Sequence, residues 1–202
     1  MLTLDHIAVA CTDLAEGTAW VEERLGVSLQ PGGEHARYGT HNTLLGLDDG
    51  LYLEVIAIDP EATPKAGHSW FGLDQFGGPP RLANWICRTD DLAAVLGDAP
   101  ASVGLPRALT RGDLNWQITV PDDGSLPFQG AYPTLIEWDE GTHHPADRLR
   151  SSGCRLARLE IVHPLADEIA GMVALADPRV LFSNGDFRME ATFQTPSGER
   201  KL

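Results

Sequence analysis

Leu51-Tyr52-Leu53-Glu54-Val55-Ile56-Ala57-Ile58 is an apolar, β-branched run opened by the turn residues Asp48-Asp49-Gly50, and it reads as a strand. One residue breaks the run. Glu54 is a carboxylate among apolar neighbours, and an unpaired ionised carboxylate in an apolar interior costs several kcal/mol. Strand side chains alternate between faces, so Glu54 shares a side with Tyr52 and Ile56, while Leu53 and Val55 point the other way. Glu54 must be paired, bound to a cation, protonated, or turned towards a wet cavity. A solvated sheet edge or a salt bridge is the bland explanation.

Upstream, Asn42-Thr43-Leu44-Leu45-Gly46-Leu47 forms a second strand, joined to the first across the hairpin signal Asp49-Gly50. Before it, Pro31-Gly32-Gly33 reads as a turn and His35 to Tyr38 as a short strand. At the start, Leu4 to Cys11 alternates. Ile7, Val9 and Cys11 take one face; His6, Ala8 and Ala10 take the other, one imidazole followed by small side chains that leave space. Thr12 or Asp13 caps a helix, with Glu16 at the capping-box position and Gly26 as the stop. Residues 4–58 thus read strand, helix and three strands.

Residues 59–80 are a connection rich in Pro and Gly, with His68-Ser69-Trp70-Phe71-Gly72-Leu73 in its middle. Large aromatics in a long connection more often cover a pocket or an edge than float. After it the pattern restarts. Asn84 to Leu92 overlays His6 to Leu14, a short helix runs Leu92 to Leu96, and strands run Gly104 to Thr110 and Leu114 to Val120. The segment Asn115 to Gly124 mirrors Asn42 to Gly50, including its Asp-Asp-Gly. An insertion, Ser125 to Pro133, precedes the strand Thr134 to Asp139, where Glu137 takes the place of Glu54. Such a repeat is the strongest statement in the chain. A third, shorter unit follows the polar segment Gly141 to Gly153. It holds a strand Leu156 to His163, a helix Leu165 to Leu175, and strands at Val180 to Phe182 and Phe187 to Thr195 joined as a hairpin across Asn184-Gly185, with a frayed tail from Pro196.

Composition narrows the partners. The chain has 202 residues and a formal net charge of −14, which argues against binding to nucleic acid or to an anionic membrane surface. No apolar run approaches the ~20 residues of a membrane helix. Met1-Leu2-Thr3 leads straight into a strand pattern, so no signal peptide is expected, and Cys11, Cys87 and Cys154 read as reduced thiols of a cytoplasmic protein. No Gly-x-Ser-x-Gly elbow and no phosphate-binding loop occurs. A homodimer is the default expectation.

Consecutive strand–helix–strand–strand–strand units, with His6 on the first strand and Glu54 on the last, resemble the vicinal oxygen chelate superfamily, and within it the glyoxalase-like domain proteins. The residues carrying the resemblance are Leu4 to Val9, Gly39 to Asn42, Tyr52 to Ile56, Trp70 to Leu73, Leu126 to Phe128 and Ile136 to Trp138. It implies an α+β fold of tandem βαβββ modules curled into a half-open barrel, with a third partial βαββ unit. Residues 1–202 would form one domain: module one over 4–58, the aromatic loop 59–80, module two over 81–140, and the third unit over 154–195. Metal-binding members take one ligand from the first strand and one from the last strand of each unit. Carried over, this picks His6 and Glu54 from module one and Asn84 and Glu137 from module two. Asn84 departs from the His or other strong ligand usual there. His6, Glu54 and Glu137 remain as a three-ligand set for Zn²⁺, Mn²⁺, Fe²⁺ or Ni²⁺.

Two functions then stand side by side. One is a metal-dependent lyase, isomerase or dioxygenase acting on a small oxygenated substrate, with Glu54 and Glu137 in the chemistry. The other is a metal-free protein that binds and sequesters a small organic ligand. Asn84, Arg88, Tyr52, Trp70, Phe71, His41 and Asn42 are the expected substrate contacts, and a core histidine hydrogen-bonded to Glu54 is the structural alternative for His6.

Overall fold

The structure, a computed structural model, describes residues 1–202. Module one comprises β1 (Thr3–Ala10), α1 (Leu14–Leu25), β2 (Gln30–His35), β3 (Thr40–Gly46) and β4 (Tyr52–Ile58). Module two repeats the order with β5 (Arg81–Arg88), α2 (Leu92–Leu96), β6 (Leu105–Arg111), β7 (Leu114–Val120) and β8 (Thr134–Trp138). Together they make one eight-stranded sheet in the order β2-β3-β4-β1-β5-β8-β7-β6, curled into a half-barrel. The first strands of the two modules meet at its centre as the antiparallel pair β1–β5.

Alternation sets the two faces. Ile7, Val9, Leu53, Val55, Trp85, Cys87 and Leu135 point to the convex side, where they share one core with Val21 and Leu25 of α1. Ala8, Ala10, Ile56, Ile86, Ile118 and Ile136 point to the concave side and meet Trp70 and Phe71 of the connection. The Asp13 side chain accepts from the Glu16 N–H at 2.8 Å, and Gly26 ends α1 in the left-handed region at φ 70°. The helix lies so close to the sheet that a Cβ on Gly17 would sit 2.3 Å from Cys11 Sγ. Overpacking there costs about 1–3 kcal/mol, and the better helix propensity of alanine returns up to ~1. Gly17→Ala is therefore expected to lose about 1–2 kcal/mol, read as a lower urea midpoint at unchanged m-value.

The third unit comprises α3 (Pro145–Arg148), β9 (Arg155–Val162), α4 (Ala166–Met172), β10 (Val180–Ser183), β11 (Arg188–Thr195) and β12 (Gly198–Lys201). Its separate sheet, in the order β10-β9-β11-β12, buries Leu159, Ile161, Ala191 and Phe193 in the convex core. Three expectations change. First, β10 and β11 do not form a hairpin. β10 lies parallel to β9 after the α4 crossover, and β11 pairs with the other edge of β9. A type I′ turn needs positive φ at both central residues, and Asn184 does not have it. Second, the tail from Pro196 is not frayed: β12 pairs with β11, and Lys201 Nζ meets Glu190 Oε1 at 2.6 Å. Third, Pro31-Gly32-Gly33 lies inside edge strand β2, which ends at His35. A register shift between Pro31 and Glu34 absorbs one extra residue there. No helix is long and apolar enough to cross a membrane. All three cysteines are free and buried, and burial raises each thiol pKa, that of Cys11 to about 12.

Candidate active site

A β-bulge builds the site. Leu4 pairs with Cys87 and His6 with Ile86, so Asp5 is an extra residue in β1. The bulge turns Asp5 and His6 onto the same, concave face, while Leu4 and Ile7 stay on the convex one. Asp5 is fully buried. Its Oδ1 accepts from His6 Nδ1 at 2.6 Å, and its Oδ2 accepts from His144 Nε2 at 2.9 Å and Trp138 Nε1 at 3.1 Å. Arg88 NH1 stands 3.6 Å from the same Oδ2. Burial pushes the Asp5 pKa up, but the hydrogen bonds from His144 and His6 outweigh it and hold the carboxyl well below the usual range.

With Nδ1–H given to Asp5, His6 turns Nε2 towards Glu54, 3.7 Å from Oε2. The imidazole stacks on Tyr52 at 4.2 Å and 15°. Burial, followed by the charges of Asp5 and Glu54, raises the Tyr52 pKa well above its usual value, so the phenol stays neutral. Glu54 is anchored at its other oxygen: Asn42 Nδ2 donates to Oε1 at 2.5 Å, and Asn42 Oδ1 accepts from the Gly33 N–H at 2.8 Å. A Cβ on Gly32 would sit 2.0 Å from that amide oxygen. The paired glycines of the β2 bulge thus let Asn42 face Glu54.

Arg111, at the end of β6, reaches across the open side of the half-barrel and donates from NH1 to His35 Nε2 at 3.1 Å. Burial, then the Arg111 charge, lowers the His35 pKa to about 3, so it remains a neutral acceptor. Thr40 Oγ1 accepts from Trp70 Nε1 at 3.1 Å and lies 3.0 Å from His35 Nδ1. Tyr38, Trp70 and Phe71 stack in a column, at 4.5 Å for each pair. The column packs in one cluster with Ile56, Ile86 and Trp116 on the concave face. The cavity left between His6, Glu54, Tyr52, Arg111 and Trp138 has a free volume of about 30 Å³, enough for a water rather than a whole substrate.

Of the residues singled out by sequence, His6, Glu54, Tyr52, Asn42, Trp70 and Phe71 line this one cavity. Arg88 reaches only the rim, through Asp5. His41 points to the opposite side, facing α1, because it alternates with Asn42. Glu137 also points to the convex side, where its Oε2 accepts from the Leu92 N–H at 2.6 Å and caps α2. The strand register explains this misplacement. Glu54 lies beside Ala8 in β1, and the counterpart of Ala8 in β5 is Ile86, whose partner is Thr134. Thr134, not Glu137, is the second module's equivalent of Glu54; the insertion before β8 hid it. Asn84 Nδ2 donates to Thr134 Oγ1 at 2.9 Å, repeating the His6–Glu54 pair in neutral form.

One of the two readings places a divalent ion on His6, Glu54 and Glu137, and the residues do not fit it. Glu137 lies on the other face, Asn84 and Thr134 satisfy each other, and Asn42 Oδ1 is taken by a backbone N–H. No three metal-ligating side chains of His, Cys, Asp or Glu gather anywhere in the chain. Sequence reading missed Asp5, His144, Trp138, Arg111 and His35. For Asp5 there was a signal: Leu4 and Ile7 are both apolar three residues apart, which breaks a two-residue period. Of the adjacent His143 and His144, it is His144 that turns inwards, onto Asp5. Nothing local marks Arg111, whose contact is made across the barrel opening.

A family model described as a glyoxalase-like domain matches residues 4–175. No curated protein matches. A hypothetical protein from Staphylococcus aureus is similar in fold, with a TM-score of 0.62 at 14% identity over 93% of this chain and 88% of that one. A methylmalonyl-CoA epimerase from Streptomyces coelicolor gives 0.44 at 20% identity over 68% of this chain and 98% of its own. The epimerase from Mycobacterium tuberculosis gives 0.42 at 21%, over 67% and 85%.

Proposed function

The chain belongs to the glyoxalase-like domain family, and from that premise we propose that it is an enzyme which moves a proton on a small oxygenated substrate, with Glu54 as the base. One observation carries the reading. Two acid–base groups, His6 Nε2 and Glu54 Oε2, face one cavity 3.7 Å apart, and each is fixed from behind by its own partner, Asp5 and Asn42. Two positioned acid–base groups on one volume are the arrangement that proton transfer needs.

In this reading a substrate carbonyl directs its α-carbon at Glu54. The carboxylate takes the α-proton, the C–H electron pair moves onto the carbonyl oxygen, and an enolate forms. Arg111 spends one of its five N–H donors on His35 and offers others to the oxyanion. His6, protonated on Nε2 and with Asp5 opposite to stabilise the imidazolium, returns a proton to carbon, and Glu54 then passes the proton it took to His6 Nε2, which restores both groups. The net change is redox-neutral, an isomerisation or epimerisation.

The competing reading, a protein that only encloses its ligand, draws on the stacked column of Tyr38, Trp70 and Phe71. Proton NMR in D₂O separates the two. Small 2-hydroxy acids, 2-keto acids and α-branched carbonyl compounds are incubated with the protein, and loss of the α-proton signal is followed. Catalysed exchange on at least one is expected. Compounds that bind with no exchange on any of them overturn proton transfer in favour of enclosure.

A further inference from the structure

Behind Phe71 lies a much larger space. A groove of about 700 Å³ runs beside the aromatic connection, and Phe71 forms part of its wall as well as part of the buried cavity's wall. Its sides come from four parts of the chain: Phe76 of the connection, Arg81 and Leu82 of β5, Leu126 and Gln129 of the insertion before β8, and Arg188 at the start of β11. It therefore exists only because the third unit packs against module two.

Two features of the groove point to a ligand. The first is charge. The chain carries 29 Asp and Glu against 15 Lys and Arg, yet no carboxylate lines the groove, and two arginines do. Arg188 has no ion-pair partner among the ten pairs in the chain. Arg81 spends NH1 on the Gly77 carbonyl at 2.8 Å and lies 4.0 Å over the Phe76 ring, which holds its fork in place and leaves other N–H groups free. The second is backbone strain. Only three non-glycine residues have positive φ: Phe71 at 56°, Phe128 at 49° and Gln129 at 61°. Phe71 and Gln129 both line the groove. Such backbone strain clusters at ligand clamps.

We propose that this groove is a second binding site for an amphipathic anion, an apolar chain ending in a carboxylate or phosphate, and that it receives the part of the substrate which the 30 Å³ cavity cannot hold. The apolar part lies on Phe76 and Leu82, the anionic end is held by Arg81 and Arg188, and Phe71 is the partition past which the reactive end enters. A guanidinium fork binds carboxylate or phosphate through paired N–H donors. The proposal rests on reading the cavity as the reaction site.

Two-dimensional amide NMR tests it, with octanoate, octyl phosphate and octanol as probes on the wild type, Arg188→Gln and Arg81→Gln. Octanoate or octyl phosphate is expected to shift the amides of Leu82, Ser125 and Met189, and the tighter of the two identifies the head group. Each arginine substitution is expected to weaken that anion by about tenfold, while octanol binds the variants and the wild type alike. Anions that leave the groove amides unmoved, or variants that bind them as the wild type does, overturn the proposal. The readout is independent of catalysis. Groove shifts without proton exchange on any compound overturn the reading of the cavity alone; exchange without groove shifts overturns the groove alone.

Discussion

Replacing Glu54 with Gln is expected to slow proton exchange by about 10²–10⁴-fold, the usual contribution of a positioned general base. The amide is the right size and its oxygen still accepts from Asn42 Nδ2, so the hydrogen bond at Oε1 survives. Its NH₂ then takes the place of the carboxylate oxygen that stood 3.7 Å from His6 Nε2. The fold is therefore retained and the basicity is lost. Thermal melting within a few degrees of the wild type, together with the slowed exchange, is the expected pair of results. An exchange rate within a few-fold of the wild type would remove Glu54 from the chemistry.

Asp5→Ala is expected to cost about 3–5 kcal/mol of stability, the range for stripping one partner from a buried charged network. His6, His144 and Trp138 would all lose their acceptor in a site closed to water. Asp5→Asn keeps the volume and one acceptor oxygen and should lose less. The two variants also report on acid sensitivity. Because the folded pKa of Asp5 is held below its unfolded value, its stabilisation is fully present above the ordinary carboxylate range, ~4. It is lost as pH falls through that range towards the folded value. The stability gap between wild type and Asp5→Asn should accordingly narrow from about pH 6 to pH 3 in urea titrations. An Asp5→Ala loss below about 1 kcal/mol, or a gap that widens in acid, would contradict the network.

Period-two reading served well where strands ran without interruption. In β4 it put Glu54, Tyr52 and Ile56 on the cavity side and Leu53 and Val55 in the core. The Asp13 cap, the Gly26 stop and the α2 boundaries were equally local, and equally legible. The errors share a cause. The bulge at Asp5, the bulge at Gly32-Gly33 and the misplaced Glu137 are all one-residue or few-residue slips in pairing, and a slip of one residue exchanges the faces. Which residue opposes which is fixed by the partner strand, and no single strand's pattern carries it. The expected hairpin of β10 with β11 failed for the same reason, since Asn184-Gly185 marks a turn but not what the turn joins.

The placement of β1 at the sheet's centre also governs the order of assembly. One edge pairs with β4 and the other with β5, so β1 is not closed on both sides until residues near 88 are available. Contacts over such separations form slowly, because loop-closure entropy precedes any gain from them. In the interval β1 presents a row of unpaired N–H and C=O groups beside an apolar face, a template for another chain. A chain cut after residue 80 keeps that edge open for good, and two copies could close it by pairing β1 against β1, in the antiparallel sense in which β5 meets it here. Module two thus serves module one twice, as a wall of the cavity and as the cover that keeps its central strand from finding a stranger.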